Sequence, residues 1–133
     1  MKFSTANKNS GVTLIELMIV IVIVGIIAGL AVPQYGKFLT DSRRTDGQVS
    51  LRAAAQEIER CRTRTFSYDD ATCAAVGGPS DDGLYTITLD ASTPTTFTLT
   101  ATAVAGGAQA SDTDCSTMSI DQAGTTTPAI CWR

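Results

Sequence analysis

From Val12 to Val32 the chain carries one ionisable side chain, Glu16, in a run otherwise built of aliphatic residues, threonine, glycine and methionine. At about 1.5 Å per residue a helix over this run is roughly 30 Å long, which matches the hydrocarbon core of a bilayer. A carboxylate inside such a segment costs roughly 2.5 to 3.5 kcal/mol on insertion scales, so residues of this kind normally have a partner and a function. Gly25 and Gly29 form a small-xxx-small pair that permits close approach of a second helix. Pro33 removes one intrahelical hydrogen bond and is expected to kink or loosen the helix at the end of the run.

The residues before the run are short and polar, with Lys2 and Lys8 and no acid up to Gly11, and read as a leader. An ordinary secretory signal is cut behind its apolar region at a small-x-small site, and the mature protein loses that region. Here Ala28-Gly29-Leu30-Ala31 leads straight into Val32-Pro33 within a continuing helical pattern, so the apolar helix is expected to be retained. The hexapeptide Gly11-Val12-Thr13-Leu14-Ile15-Glu16, followed by Pro33, Tyr35 and the Arg43-Arg44 pair, resembles the class III leader and cleavage motif of type IV pilins and pseudopilins. The resemblance implies cleavage between Gly11 and Val12 by a prepilin peptidase that also N-methylates the new terminus at Val12. Most members place Phe after the cut, where this chain has Val12. It also implies that Glu16 is the assembly glutamate, neutralising the α-amino group of a neighbouring subunit. An unpaired charge in so dry a place costs several kcal/mol, most of which a close hydrogen-bonded pair recovers. The bland alternative is an acid favoured at a helix start by the macrodipole.

Beyond Pro33 the composition turns polar, and Leu51, Ala54, Ala55, Ile58 and Cys61 recur at helical spacing among Arg52, Gln56, Glu57, Glu59 and Arg60. This predicts one long helix ending near Arg64, with Gly47 weakening it locally by about 1 kcal/mol. From Gly83 the period changes to two: Tyr85, Ile87 and Leu89, then Phe97, Leu99, Ala101 and Ala103, alternate with polar neighbours. The segment Ala91-Ser92-Thr93-Pro94-Thr95 reads as the hairpin turn, with a third strand at Ser116 to Asp121 and a short fourth at Thr125 to Thr127. The fold class is therefore α+β, a long N-terminal helix covering the apolar face of an antiparallel sheet of about four strands, as in the type IV pilin fold. Three segments are expected: the leader over residues 1–11, a membrane-spanning or filament-core helix over 12–33, and an exported globular domain over 34–133. The stretches Asp82 to Ile87, Phe97 to Ala101, and Asp121-Gln122-Ala123-Gly124 to Cys131-Trp132 resemble minor pilins of the PilE type.

Four cysteines, Cys61, Cys73, Cys115 and Cys131, allow three pairings, and their even number in an exported domain points to disulfides. Nearest-neighbour pairing ties Cys61 to Cys73 and Cys115 to Cys131, the second resembling the disulfide-bounded C-terminal loop of pilins. Each such loop stabilises by about 3 kcal/mol in the chain-entropy model. No CxxC spacing and no histidine are present, so no metal is expected. Asp69-Asp70, Asp81-Asp82, Asp112 and Asp114 lack EF-hand spacing and read as solvated turns. Neither a GxSxG elbow nor a phosphate-binding glycine loop occurs, and neither an enzyme nor a cofactor is implied.

The formal charge is −3, and loss of Lys2 and Lys8 with the leader takes it to about −5, which disfavours a general nucleic-acid surface. Arg60, Arg62 and Arg64 nevertheless concentrate positive charge near the helix end, a possible weak nucleic-acid contact set against a merely solvated mixed face with Glu57 and Glu59. The resemblance thus implies a minor pilin that supports pilus assembly, twitching motility, attachment or DNA uptake. Its partners would be other major and minor pilins, the prepilin peptidase and N-methyltransferase, and the inner-membrane assembly platform. It would reside in the inner membrane before assembly and at the cell surface afterwards. A major pilin or type II secretion pseudopilin is the alternative within the class, and an adhesin or DNA-receptor pilin the alternative outside it.

Overall fold

The computed structural model describes residues 11–132; the expected leader, apart from Gly11, lies outside the described residues. Helix α1 spans Leu14–Thr65 and is followed by strands β1 (Gly78–Pro79), β2 (Tyr85–Ser92), β3 (Phe97–Ala103), β4 (Thr117–Asp121) and β5 (Thr126–Thr127), then a short 3₁₀ turn at Ala129–Cys131. The chain divides into two compact units, residues 1–37 and 38–133.

In the first unit Thr13 caps α1: its Oγ1 accepts the Glu16 N–H at 3.3 Å and its carbonyl accepts the Leu17 N–H at 3.2 Å. Thr13-Leu14-Ile15-Glu16 has the residues of a capping box, with the acid three positions beyond the cap. Every residue from Val12 to Val32 is exposed, Val12 by 67 % and Leu30 by 74 %. The helix continues through Pro33.

In the second unit the strands form one antiparallel sheet in the order β1-β2-β3-β4-β5. Alternation places Tyr85, Ile87, Phe97, Leu99, Ala101, Met118 and Ile120 on the buried face, where they share a core with Leu51, Ala54 and Ile58 of α1. Beyond the strands expected from the sequence, the sheet gains β1, which pairs Gly78 with Ile87 and Pro79 with Thr86. Two residues in length, β1 carries no readable alternation. The hairpin turn also shifts: β2 continues past a bulge between Leu89 and Ala91 to pair Ser92 with Phe97, and the turn is closed by Thr93 and Thr96. Disulfides join Cys61 to Cys73 and Cys115 to Cys131, with Cα atoms 5.7 Å apart in each. The first ties the last turns of α1 to the following loop; the second closes the segment holding β4, β5 and the 3₁₀ turn.

Gly47 has a role that helix propensity alone does not reveal. A Cβ there would lie 2.7 Å from Met118 Cε and 2.9 Å from Tyr85 Cδ2, so glycine is what lets α1 approach the sheet. The Met118 methyl can swing away, but the Tyr85 ring, wholly buried, cannot. Gly47→Ala is expected to destabilise the domain by roughly 1–3 kcal/mol despite alanine's better helix propensity, read as a lower chemical-denaturation midpoint.

Candidate functional site

The cations of this chain are segregated. From Phe66 to Trp132 there are aspartates but neither lysine nor arginine, so the positive charge of the second unit, up to Trp132, lies on α1. What each arginine meets decides which remain available.

Arg44 is spent internally. Its Nε and Nη2 donate to the two carboxylate oxygens of Asp112 at 2.7 and 2.8 Å, and Nη1 lies 2.9 Å from Asp41. The Arg44 and Asp112 side chains are only 17 % and 4 % exposed, so Asp112 is a buried ion-pair partner and not the solvated turn acid expected from its sequence context. Beside the pair, buried Gln109 donates through Nε2 to Asp112 at 3.4 Å, to the Tyr85 hydroxyl at 3.1 Å and to the Thr40 carbonyl at 3.3 Å. The Tyr85 hydroxyl in turn donates to the Cys115 carbonyl at 3.1 Å. No periodicity marks Gln109 or Asp112, which lie in an irregular segment; the sequence shows only a polar loop.

Arg52 stacks over Trp132, 5.3 Å from the ring centroid. Arg62 donates to the Tyr68 hydroxyl at 2.9 Å and lies 4.5 Å from that ring's centroid, while the hydroxyl donates to Glu59 at 2.7 Å. Burial first, then the Glu59 hydrogen bond, pushes the Tyr68 phenol above its ordinary value. Tyr68 packs edge-on to Phe97 with centroids 5.0 Å apart, so Arg62 belongs to the wall of the core.

Arg60 and Arg64 differ. Both are exposed, and among the described residues neither side chain has a hydrogen-bond or ion-pair partner. One helical turn apart, they share a face. Arg60 also borders an open groove of about 370 Å³ between α1 and the β3–β4 side of the sheet, floored by Phe97 and Ile120 and rimmed by Asp121 and Gln122. Of the three arginines singled out from the sequence, the structure therefore leaves two available. Among the described residues no cluster of His, Cys, Asp or Glu is arranged to hold a metal ion.

Residues 33–119 match the family model of the type IV minor pilin ComP, described as a DNA uptake sequence receptor, and residues 6–32 match the prokaryotic N-terminal methylation motif. The chain belongs to the type IV pilin family and carries its ComP-type domain. It is 44 % identical over 54 residues to the type IV major pilin PilA of Myxococcus xanthus, covering 40 % of this chain and 24 % of that protein. The type IV major fimbrial protein FimA of Dichelobacter nodosus is 38 % identical over 82 residues, 59 % of this chain and 51 % of its own length. The type II secretion system core protein G of Pseudomonas aeruginosa is 36 % identical over 62 residues, 47 % and 44 % of the two chains. The chain thus spans between about a quarter and a half of these relatives' lengths.

In this pilin domain the Arg44 hydrogen bond holds the Asp112 carboxyl below its ordinary value of 3.8, against the opposing effect of burial. A carboxyl whose pKa falls on folding stabilises the native state above its unfolded pKa and ceases to do so as pH drops through the folded one. Wild-type stability should therefore fall progressively below about pH 4. Asp112→Asn should lose roughly 1.5–3 kcal/mol at pH 7 and show a shallower acid limb, measured by denaturation at pH 7, 4 and 3.

Proposed function

We propose that this chain is a minor type IV pilin, a non-enzymatic filament subunit. In this reading a prepilin peptidase cuts between Gly11 and Val12 and methylates Val12. Val12 to Val32 then holds the subunit in the inner membrane until it is drawn into a filament with other pilins. Its work is to support pilus assembly, and through it twitching motility, attachment or DNA uptake. The observation that carries the reading is the fully exposed apolar helix with Glu16 in its first turn, joined to a domain of the ComP type. Such a helix has no place in water, and a bilayer and a bundle of like helices are the two environments that suit it. Likeness along residues 33–119 to a minor pilin favours this over a major pilin or a secretion pseudopilin.

A second reading adds DNA contact. It is favoured by the ComP match, whose family is described by DNA receptor activity, and by the exposed, unpartnered Arg60 and Arg64. Net negative charge confines any such contact to this local face, with the phosphates as its anchor.

Intact mass and N-terminal sequencing of the membrane-extracted protein test the main reading. A chain beginning at Val12 only in cells with active prepilin peptidase is expected; one beginning at Met1, or cut beyond Ala31, refutes it. Glu16→Gln keeps a polar first-turn residue yet removes the charge. It should leave the subunit in the membrane while cutting its recovery in sheared pili at least tenfold.

A further inference from the structure

Helix α1 ends at Thr65, and Phe66 follows with φ +61°, in the left-handed region. Its N–H donates to the Arg62 carbonyl at 2.7 Å, four residues back, which makes Phe66 the left-handed cap that terminates the helix. Glycine is the usual residue here, because a Cβ in this conformation is penalised. Phe66 is also 87 % exposed, the most exposed large apolar side chain among the described residues. Among the described residues it makes no ring contact; the aromatic pair nearby is Tyr68 with Phe97. The position thus combines backbone strain with an apolar ring left in water, and folding gains from neither. Residues held against local preference in this way cluster at binding sites.

The setting indicates what the ring meets. Arg64 lies two residues before it and Arg60 one helical turn further back, both exposed and unpartnered, at the end of α1. Of the neighbouring acids, Glu59 accepts from Tyr68, Asp69 from Ser67 and Asp70 from Thr72, while Glu57, one turn before Arg60, is exposed and among the described residues forms no ion pair with it. Free guanidinium groups beside a free aromatic face form the pairing that binds unstacked nucleobases, the arginines tracking phosphates and the ring stacking on a base. We infer that Phe66 is a stacking platform for a nucleobase of single-stranded DNA, with Arg60 and Arg64 holding the flanking phosphates. This rests on the DNA-contact reading above and specifies its ligand as a strand with accessible base faces. A duplex, whose bases already stack on one another, would engage only the arginines.

The experiment uses the full chain in detergent, with a fluorescent single-stranded oligonucleotide of about 12 nucleotides and its duplex, titrated at several salt concentrations. Phe66→Gly suits the left-handed cap, so it should unfold at a temperature no lower than wild type while binding the single strand about 5- to 100-fold more weakly, with an unchanged salt slope. Phe66→Trp should bind nearly as wild type. Replacing Arg60 and Arg64 by Gln should flatten the salt dependence for both single strand and duplex. Phe66→Gly binding as tightly as wild type, with the arginine variant weakened, overturns the stacking platform and leaves the DNA reading standing. No binding by the wild type overturns both. Normal DNA binding together with loss of the Phe66→Gly subunit from pili reassigns the ring to a protein contact.

Discussion

The second unit depends on one close approach, that of α1 to the buried ring of Tyr85 over Gly47. Tyr85 is the point at which separate parts of the chain are fixed to each other. Its ring fills the space that Gly47 leaves, and its hydroxyl reaches the Cys115 carbonyl beside the second disulfide while accepting from Gln109. Its backbone N–H donates to Ser80 Oγ at 2.9 Å, and that hydroxyl donates to Asp46 of α1. Asp46 also accepts from the backbone of Asp82 and Leu84, so the turn entering β2 is tied to the helix one residue before the glycine contact. Helix, strand entry and disulfide loop thus share one buried phenol, and the polar groups around it satisfy one another except for Gln109 Oε1, which is buried without a partner among the described residues.

The arginines of the same helix differ in what they meet. Arg44 and Arg62, half-buried, are answered by Asp112 and by Tyr68 with Glu59, since a guanidinium withdrawn from water needs its donors filled. Arg60 and Arg64, exposed, are left unanswered, although opposite charges are plentiful elsewhere in the domain. Like charges one turn apart cost a few tenths of a kcal/mol, which proximity to the helix C-terminus offsets. Stability therefore accounts for Arg44 and Arg62 and is indifferent to Arg60 and Arg64, which are free to serve recognition.

Much of this fold is legible in the sequence because it rests on periodicity. The α+β class follows from a change of period at Gly83 and from the alternation of Tyr85, Ile87, Phe97, Leu99 and Ala101, each of which is buried. Other features follow from rules with no periodic signature. β1 is two residues long, and the bulge between Leu89 and Ala91 carries β2 into what reads as turn. Gly47 looks like a helix flaw until the atoms opposite it are known, and Asp112 looks like a loop acid until Arg44, 68 residues away, is seen against it. Phe66 is invisible for a different reason: nothing in the letters around it distinguishes an aromatic that packs from one that caps a helix in a glycine conformation.

Glu16 joins the two scales of the molecule. Within one chain it belongs to the first turn of α1, where Thr13 accepts its N–H and the helix dipole favours a carboxylate. Among the described residues that carboxylate meets no cation, and the residues around it are exposed and apolar. Capping is satisfied by the backbone geometry and by any polar side chain; it does not need a full charge. In water the charge is harmless, but once the apolar helix enters lipid or a bundle of its kind, desolvation makes a counter-charge necessary. A cut between Gly11 and Val12 would create the simplest one available, an α-amino group at the same end of the same kind of helix. A carboxylate tolerable in isolation and costly in a dry environment unless matched makes correct registration of neighbouring helices the condition for burying them.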